Sequence, residues 1–320
     1  MTGAIPTPHG AGAATPVLAF TPVVLPSPGR AVDLTVRVSA PATGGELPII
    51  LLSHGHGPSH YVSSFYGYGP LADYYAAHGF VVIQPTHLDS ATLGLRESDD
   101  PEAPLYWRQR AQDMSRILDH LDVIESVVPA LQGRLDRSRI GVVGHSMGGH
   151  TASLLLGARL QDPYDGSHVD LAEARIKAGV LLSAPGRGGD ALSQSAAQSY
   201  PFFATTDFSQ MTSPALVVAG EQDDGPHLTV AGAGWFADPY ALSPAPKSLL
   251  TVFDAEHGLG GVAGYDLAET TDESPARVSM VQRLTWAYLR SQLDDSDTAW
   301  QQAVDSLAAD GTPLGRVESK

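Results

Sequence analysis

The amino-acid sequence predicts an α/β protein built on one mostly parallel central sheet, with helices on both of its faces. The chain has 320 residues, of which 43% are hydrophobic, and this is enough to form the core of one large domain. Short, continuous apolar runs recur along it, as is typical of strands that are covered on both sides. Amphipathic helical patterns separate these runs, and such an alternation of strands and helices indicates a parallel sheet.

The chain begins with a stretch rich in Pro, Ala and Gly, and we expect residues 1–30 to form a loosely ordered arm. Apolar and polar residues then alternate, which predicts an antiparallel edge strand with one solvated face. The apolar positions of this strand are Val32, Leu34, Val36 and Val38. The continuous apolar runs follow at 47–53, 80–84, 140–144, 178–183, 215–220 and 248–253. The main domain is therefore expected to span residues 31–295.

Two helices are the clearest in the sequence. Apolar residues spaced by three and four predict a helix from Trp107 to Ile124. Ser274 as N-cap and Pro275 in the first turn predict the start of a second helix. Residues 296–320 are expected to add a C-terminal helix and a tail. The connections are short, so we expect short cap segments and no large lid.

Charge and composition exclude several classes of function. The formal net charge of −16 disfavours a nucleic acid or an anionic membrane as partner, because both require a basic surface. The chain has no cysteine, which excludes disulfides, thiolate metal sites and a thiol nucleophile. The sequence shows neither a secretory signal nor a membrane span. We therefore expect a cytoplasmic protein, with secretion as the alternative.

A serine at a junction between strand and helix is the strongest catalytic candidate. Ser146 lies in a Gly-His-Ser-Met-Gly pentapeptide after the run at 140–144, which is the G-x-S-x-G motif in the context that it requires. Gly144 and Gly148 would relieve contacts that side chains create in so sharp a turn. The backbone amide of Met147 would lie at a helix N-terminus, where it could stabilise an oxyanion. The alternative is a serine that only caps the helix.

A serine nucleophile requires a histidine base and a carboxylate that orients this base. His257 follows the last apolar run on a glycine-rich loop, from which it could reach the serine; the alternative is an ordinary loop histidine. Asp223 follows the run at 215–220 and is the favoured acid. Its neighbour Asp224 and the earlier Asp190 stay open as alternatives.

The loop after the run at 47–53 is expected to supply a second oxyanion donor. Gly55 permits a close approach there, and the backbone amide of His56 would point at the same oxygen as that of Met147. A metal site formed by His54, His56 and His60 is the alternative. No carboxylate lies among these histidines, and we expect no metal.

Aromatic residues near these loops are candidates to line a substrate pocket. They lie in the segment after residues 54–57, which are called the oxyanion loop below, and in the connection before the run at 215–220. The candidates are Tyr61, Phe65, Tyr66, Tyr68, Phe202 and Phe203. They could equally pack in the core or on the surface. The segment 184–213 is too short for a full lid domain, which favours an open site for small or medium substrates.

Four motifs together resemble those of serine hydrolases with the α/β-hydrolase fold, over about residues 30–295. In chain order they are SHGHG, GHSMGG, GEQDD and EHGLGG. Within this fold, residues 53–87 and 110–121 resemble the branch of dienelactone hydrolases and platelet-activating-factor acetylhydrolases, to which the chlorophyllases are related. The mammalian acetylhydrolases place their acid one strand earlier than Asp223, so the resemblance does not carry phospholipid specificity. Dienelactone hydrolase itself uses a cysteine nucleophile, which this chain lacks.

The resemblance implies ester cleavage through an acyl-enzyme, without a cofactor. Ser146 would attack the ester, His257 would act as base, and Asp223 would orient the histidine. We therefore predict a serine carboxylesterase that acts on a small-molecule ester. An amidase, a thioesterase or an acyltransferase would use the same residues, and a non-catalytic binding protein with this fold is the remaining alternative. The sequence does not determine the oligomeric state.

Overall fold

A computed structural model describes residues 14–320 and contains a nine-stranded sheet. The first strands in chain order are β1 (Val17–Leu25), β2 (Leu34–Pro41), β3 (Leu47–Ser53), β4 (Val81–Pro85) and β5 (Leu135–His145). They are followed by β6 (Arg159–Gln161), β7 (His168–Asp170), β8 (Ile176–Leu182), β9 (Ala215–Gly220), β10 (Lys247–Val252) and β11 (Gly315–Ser319). Strands β6 and β7 form a separate hairpin, and the other strands make up the sheet.

The strands of the sheet lie in the order β1-β2-β4-β3-β5-β8-β9-β10-β11. The strands from β4 to β10 in this order pair in parallel. Antiparallel strands flank them, with β1 and β2 on one side and β11 on the other. Each continuous apolar run of the sequence coincides with one of the parallel strands to within one residue at its ends or is contained in it, because these strands are buried on both faces.

Helices cover both faces of the sheet. They are α1 (Gly69–Ala77), α2 (Trp107–Asp119), α3 (Leu121–Val127), α4 (Met147–Leu155), α5 (Gln194–Ser199), α6 (Asp238–Leu242), α7 (Pro275–Leu293) and α8 (Ala299–Ala308). The buried residues of α1 and α7 pack in one apolar core, and those of α2, α3 and α4 pack in another. Ile49 of β3 belongs to the second core and its neighbour Ile50 to the first, as the alternation of a strand requires. The predicted fold class is confirmed.

The N-terminal region differs from the prediction. Residues 1–13 lie outside the described part of the chain, but β1 lies inside the expected arm of residues 1–30 and pairs with β2. Val23 and Leu25 of β1 are buried. The prediction that β2 is an edge strand was wrong, because β1 covers it. A register shift between Phe20 and Val23 breaks the regular alternation by which β1 could have been found in the sequence.

The C-terminal region also contributes to the sheet. Helix α8 lies where a helix was expected, within residues 296–320. The expected tail, however, contains β11, which pairs antiparallel with β10. The sheet therefore extends on both sides beyond the expected main domain of residues 31–295.

The helices predicted from Trp107 and from Ser274 are present. The first is α2 followed by α3, which meet at His120. At the second, Ser274 Oγ accepts a hydrogen bond from the backbone N–H of Arg277, as expected of an N-cap. The connection from β8 to β9 holds only α5 and short 3₁₀ turns. Between residues 14 and 320, no helix is both long and apolar enough to cross a membrane.

Two neighbouring residues of β1 test whether this strand belongs to the core. Leu25 is 0% exposed and Val24 is 46% exposed. We expect Leu25→Ala to lower the free energy of unfolding by about 2–5 kcal/mol, because it removes buried apolar contacts and leaves a cavity. Val24→Ala should cost less than about 1 kcal/mol. Urea denaturation followed by circular dichroism measures both, and equally small effects would contradict a structural role for β1.

Candidate active site

Ser146 lies in a sharp turn between β5 and α4. Its backbone has φ 55° and ψ −121°, in the left-handed half of the map, which residues with a side chain rarely adopt. The two flanking glycines are required by close contacts between backbones. A Cβ on Gly144 would lie 1.9 Å from the carbonyl oxygen of Gly148, and a Cβ on Gly148 would lie 2.1 Å from that of Ser53. The turn therefore forms only with glycine at both positions.

A cavity of about 450 Å³ opens beside Ser146. The loops after β3, β5, β9 and β10 line it, since parallel strands end at the same edge of the sheet. His56, Asp223 and His257 lie in this lining together with Ser146. The structure thus brings the predicted nucleophile, acid and base into one cavity. This cavity and its lining are referred to as the cleft.

Asp223 and His257 form a hydrogen-bonded pair. The distance between His257 Nδ1 and Asp223 Oδ2 is 2.8 Å. Strands β9 and β10 place the two loops side by side, with Gly220 opposite Val252 in the register. Asp223 is buried and the His257 side chain is 34% exposed, so that the carboxylate holds one edge of the ring while the other stays accessible.

The alternative acids occupy different places. Asp224 is exposed and lies in the lining of the cleft, without a hydrogen bond to His257. Asp190 is exposed in a 3₁₀ turn before α5 and does not line the cleft. Among the three candidates, Asp223 is the one that the fold pairs with His257.

The two expected oxyanion donors lie next to Ser146. Met147 follows it directly, and a Cβ on Gly55 would lie 3.3 Å from Ser146 Cβ, so the loop after β3 touches the nucleophile. Within residues 14–320, the backbone N–H groups of His56 and Met147 have no acceptor. Both amides are therefore available to an oxygen bound beside Ser146.

A chain of hydrogen bonds connects the three loops around Ser146. The backbone N–H of Gly55 donates to Tyr68 Oη at 2.9 Å, and this hydroxyl donates to His145 Nδ1 at 2.9 Å. His145 Nε2 donates to the carbonyl oxygen of His257 at 2.8 Å. The chain links the loop after β3, the turn of Ser146 and the loop of His257, and it requires neutral His145 with its proton on Nε2.

Burial keeps this chain uncharged. It raises the pKa of Tyr68 well above the usual value. Burial, together with the neighbouring His257, lowers the pKa of His145 to about 3. The direction of the hydrogen bonds therefore stays the same across the neutral pH range.

A buried ion pair lies behind the oxyanion loop. Arg110 of α2 donates to Asp89, and both side chains are 0% exposed. Burial alone would raise the pKa of Asp89, but the Arg110 guanidinium holds it well below the usual range. Arg110 also donates to the carbonyl oxygen of His54 and, at 3.1 Å, to Thr151 Oγ1 of α4. One guanidinium thus ties the oxyanion loop to the helix that follows Ser146.

A second buried cluster extends from this ion pair. Asp113 accepts from Arg30 Nε at 2.9 Å and from His87 Nδ1 at 2.9 Å. His87 Nε2 lies 3.0 Å from Ser53 Oγ at the end of β3. Burial, with the nearby Arg110, lowers the pKa of His87 to about 4. His87 is therefore neutral near pH 7, and its Nε2 accepts a hydrogen bond from the Ser53 hydroxyl.

The three histidines of the alternative metal site do not converge. His54 Nε2 accepts from the backbone N–H of His87 at 3.1 Å, while His56 pairs with Asp89 and His60 is exposed. In the described part of the chain, no group of three or more His, Cys, Asp or Glu side chains could hold a metal ion.

Phe202 and Phe203 were expected to line the pocket, and the structure corrects this. Both are buried in the core beside α2 and α4. Phe202 stacks on Trp107 with 5.7 Å between ring centroids, and Phe203 packs edge-on against His150 at 4.9 Å. Neither ring lines the cleft beside Ser146.

Most of the aromatic residues after the oxyanion loop also lie outside the cleft lining. Phe65 is buried, and Tyr61 and Tyr66 are exposed outside the cleft. The expectation that these three line the pocket is corrected as well. Tyr68 is the aromatic of this segment that does line the cleft. The apolar lining comes from smaller residues, among them Pro58, Val62, Pro226 and Ala263.

Sequence reasoning missed Asp89, Arg110 and His145. A signal for Arg110 was present, because it lies three residues after Trp107 and four before Met114, on the apolar face of α2. A charged residue on such a face requires a buried partner. No comparable signal marked Asp89 as that partner, since it lies in an irregular loop.

Comparison with known proteins supports the architecture. Residues 21–162 match the chlorophyllase family. The platelet-activating factor acetylhydrolase of Cavia porcellus is 30% identical over 142 residues, which are 34% of this chain and 31% of that protein. Cutinase est2 of Thermobifida alba is 26% identical over 192 residues, which are 58% of this chain and 46% of that protein. The chain has the α/β-hydrolase fold.

The comparisons support one half of the site more directly than the other. The alignments span less than half the length of either curated relative of this chain. The region that matches the chlorophyllase family includes the oxyanion loop and Ser146 but ends at residue 162, before Asp223 and His257. The roles of the acid and the base therefore depend on the geometry of the cleft.

Tyr68→Phe tests the hydrogen-bonded chain of the cleft. We expect kcat on an ester to fall by about tenfold or more, because Gly55 and His145 lose their shared partner and the loops are held less firmly. Tyr75→Phe is the matched control, since Tyr75 is equally buried and its hydroxyl donates to Thr285 Oγ1 of α7 at 2.7 Å. Thermal unfolding and ester kinetics measure both variants. An equal loss of kcat in the two would contradict a specific role for Tyr68.

The buried histidines predict a loss of stability in mild acid. Burial lowers the pKa of His87 to about 4 and those of His145 and His150 to about 3, below the usual 6.5. The unfolded chain therefore binds more protons than the folded one below about pH 6.5. Each histidine should lower the free energy of unfolding by up to about 1.4 kcal/mol per pH unit as the pH falls towards its folded pKa. Urea denaturation at pH 7.5, 6 and 5 checks this, and a constant stability would contradict it.

Proposed function

We propose that this protein is a serine carboxylesterase that hydrolyses small to medium esters through an acyl-enzyme. The observation that carries the proposal is the pair of Asp223 and His257 in the same cleft as Ser146, at 2.8 Å from Nδ1 to Oδ2. Ser146 supports it further with its strained turn between strand and helix. The two relatives that the chain resembles, an acetylhydrolase and a cutinase, point to the same class of chemistry.

Acylation follows from the roles of the three side chains. His257 Nε2 takes the proton of Ser146 Oγ as this oxygen attacks the carbonyl carbon of the ester. The backbone N–H groups of His56 and Met147 stabilise the resulting oxyanion. Asp223 holds the imidazole by Nδ1 and stabilises its positive charge. His257 then gives the proton to the alcohol oxygen, and the acyl group stays on Ser146.

Deacylation uses the same groups with water as the nucleophile. His257 takes a proton from the water as it attacks the acyl carbon, and the oxyanion again lies against the two amides. The proton returns to Ser146 Oγ when the carboxylic acid leaves. Protein groups and water suffice for the whole cycle.

The shape of the cleft favours a small or medium substrate. Its volume of about 450 Å³ is near the lower end of the range for small-molecule sites. Its apolar lining consists of small side chains such as Val62 and Ala263. The short connection between β8 and β9 does not supply a large lid. We therefore expect highest activity on short acyl chains.

Variants of the triad test the assignment. We expect Ser146→Ala to abolish both ester turnover and covalent labelling by a fluorophosphonate, while melting temperature and circular dichroism stay near those of the wild type. Loss of a nucleophile costs several orders of magnitude in rate. A series of 4-nitrophenyl esters of rising chain length, with a matched anilide and thioester, measures activity and the preferred bond. A variant that keeps a tenth of the wild-type rate would contradict the role of Ser146.

Two further aspartates serve as internal controls for Asp223 in the same assay. Asp223→Asn should lose roughly 10⁴ in rate, because the imidazole is no longer held in the productive tautomer. Asp224→Asn and Asp190→Asn should each stay within about tenfold of the wild type, since neither side chain bonds His257. The opposite pattern, with Asp190→Asn as the impaired variant, would transfer the acid to the connection after β8.

A further inference from the structure

The cleft contains a second pair of histidine and aspartate, which the proposed cycle does not use. His56 Nδ1 lies 2.9 Å from Asp89 Oδ2. This geometry repeats that of His257 and Asp223, in which Nδ1 is also bound to a buried carboxylate. The proposed cycle requires the backbone amide of His56, but it gives no role to the imidazole.

The free edge of the His56 ring is open to the cleft. The side chain is 24% exposed and belongs to the cleft lining. Its Nε2 has no hydrogen-bond partner among residues 14–320, and this atom is not buried. The ring is therefore held on the protein side and unoccupied on the cleft side.

The carboxylate behind His56 is held firmly. Asp89 is 0% exposed, and its second oxygen accepts from Arg110, which is equally buried. The Arg110 guanidinium keeps the pKa of Asp89 low, so that the carboxylate is ionised at neutral pH. It therefore accepts a hydrogen bond from Nδ1–H of His56, and in this tautomer Nε2 is a hydrogen-bond acceptor that faces away from the carboxylate.

The imidazole is not needed to hold the backbone of its own loop. Arg110 already donates to the carbonyl oxygen of His54, and Arg96 Nη2 donates to that of Gly57 at 2.7 Å. The backbone on both sides of His56 is thus fixed by arginine side chains. A role for the oriented ring towards a ligand explains the arrangement better than a role in folding.

The charges of the cleft indicate which ligand group the ring would meet. Besides Asp223, the residues that line the cleft include Asp224, Glu256 and Glu269. In the described part of the chain, no Lys or Arg lines the cleft. Such a lining disfavours an anionic substrate. The partner of an acceptor nitrogen must itself be a donor, and a neutral hydroxyl group fits both conditions.

We propose that His56 is a specificity-determining residue whose Nε2 accepts a hydrogen bond from a hydroxyl group of the substrate, close to the scissile ester. The inference rests on the esterase function proposed above and assigns hydroxylated esters as the preferred substrate class. The hydroxyl group belongs either to the acyl part or to the alcohol part of the ester, and the test separates the two.

Two pairs of esters of nearly equal size test the proposal. For the acyl part, 4-nitrophenyl 3-hydroxybutyrate is compared with 4-nitrophenyl butyrate; for the alcohol part, 2-hydroxyethyl butyrate is compared with propyl butyrate by titration of the released acid. The ratio of kcat/KM within a pair measures the preference for the hydroxyl group. We expect the wild type to prefer the hydroxylated ester by about 2- to 10-fold in one of the pairs, the scale of one hydrogen bond.

Two variants separate contact with the substrate from support of the loop. In His56→Asn the amide can still donate to Asp89 in place of Nδ1, but no acceptor remains at the position of Nε2. In His56→Ala both are lost. We expect the preference to disappear in both variants, with the asparagine variant retaining the thermal stability of the wild type. His60→Ala, which removes an exposed histidine of the same loop, is the control and should keep the preference.

The outcomes distinguish this inference from the assignment as an esterase. A wild type without preference in either pair, or a His56→Asn variant that keeps the preference, would overturn the role of His56 and leave the esterase assignment standing. A wild type that hydrolyses none of the four esters would instead contradict the esterase assignment itself.

Discussion

The buried guanidinium of Arg110 is the interaction on which the geometry of the cleft depends. It neutralises Asp89, binds the carbonyl oxygen of His54 and reaches Thr151 of the helix after Ser146. An arginine in an apolar environment is costly unless its charge is paired and its N–H groups are bonded. Because these partners come from three separate segments, Arg110 fixes the loop after β3 against the helix that follows Ser146.

The chain through Tyr68 and His145 completes this arrangement on the other side of Ser146. Arg110 sets the backbone before Gly55, and the Tyr68 hydroxyl accepts from Gly55 itself. His145 then carries the connection to the carbonyl oxygen of His257. The loops that carry Gly55, Ser146 and His257 are thus joined by hydrogen bonds, which suits the proposed reaction because it requires fixed distances.

Two histidines with buried carboxylate partners face the same cleft, and their surroundings give them different roles. His257 lies on the loop after β10 with Asp223, on the side that the proposed cycle uses for proton transfer. His56 lies on the oxyanion loop with Asp89, whose charge is compensated by Arg110. We infer proton transfer for the first pair and recognition of the substrate for the second.

Local sequence determined the α/β fold, since the apolar runs and the G-x-S-x-G turn depend on neighbouring residues. The positions of the loops that carry Asp223 and His257 followed from the order of the strands. The catalytic roles of these two residues are a proposal. Only the tertiary structure decided that β1 covers β2, that Phe202 and Phe203 fill the core, and that His56 meets Asp89. These features could not be read from the sequence, because each depends on contacts between segments that are distant along the chain and carry no periodic signal.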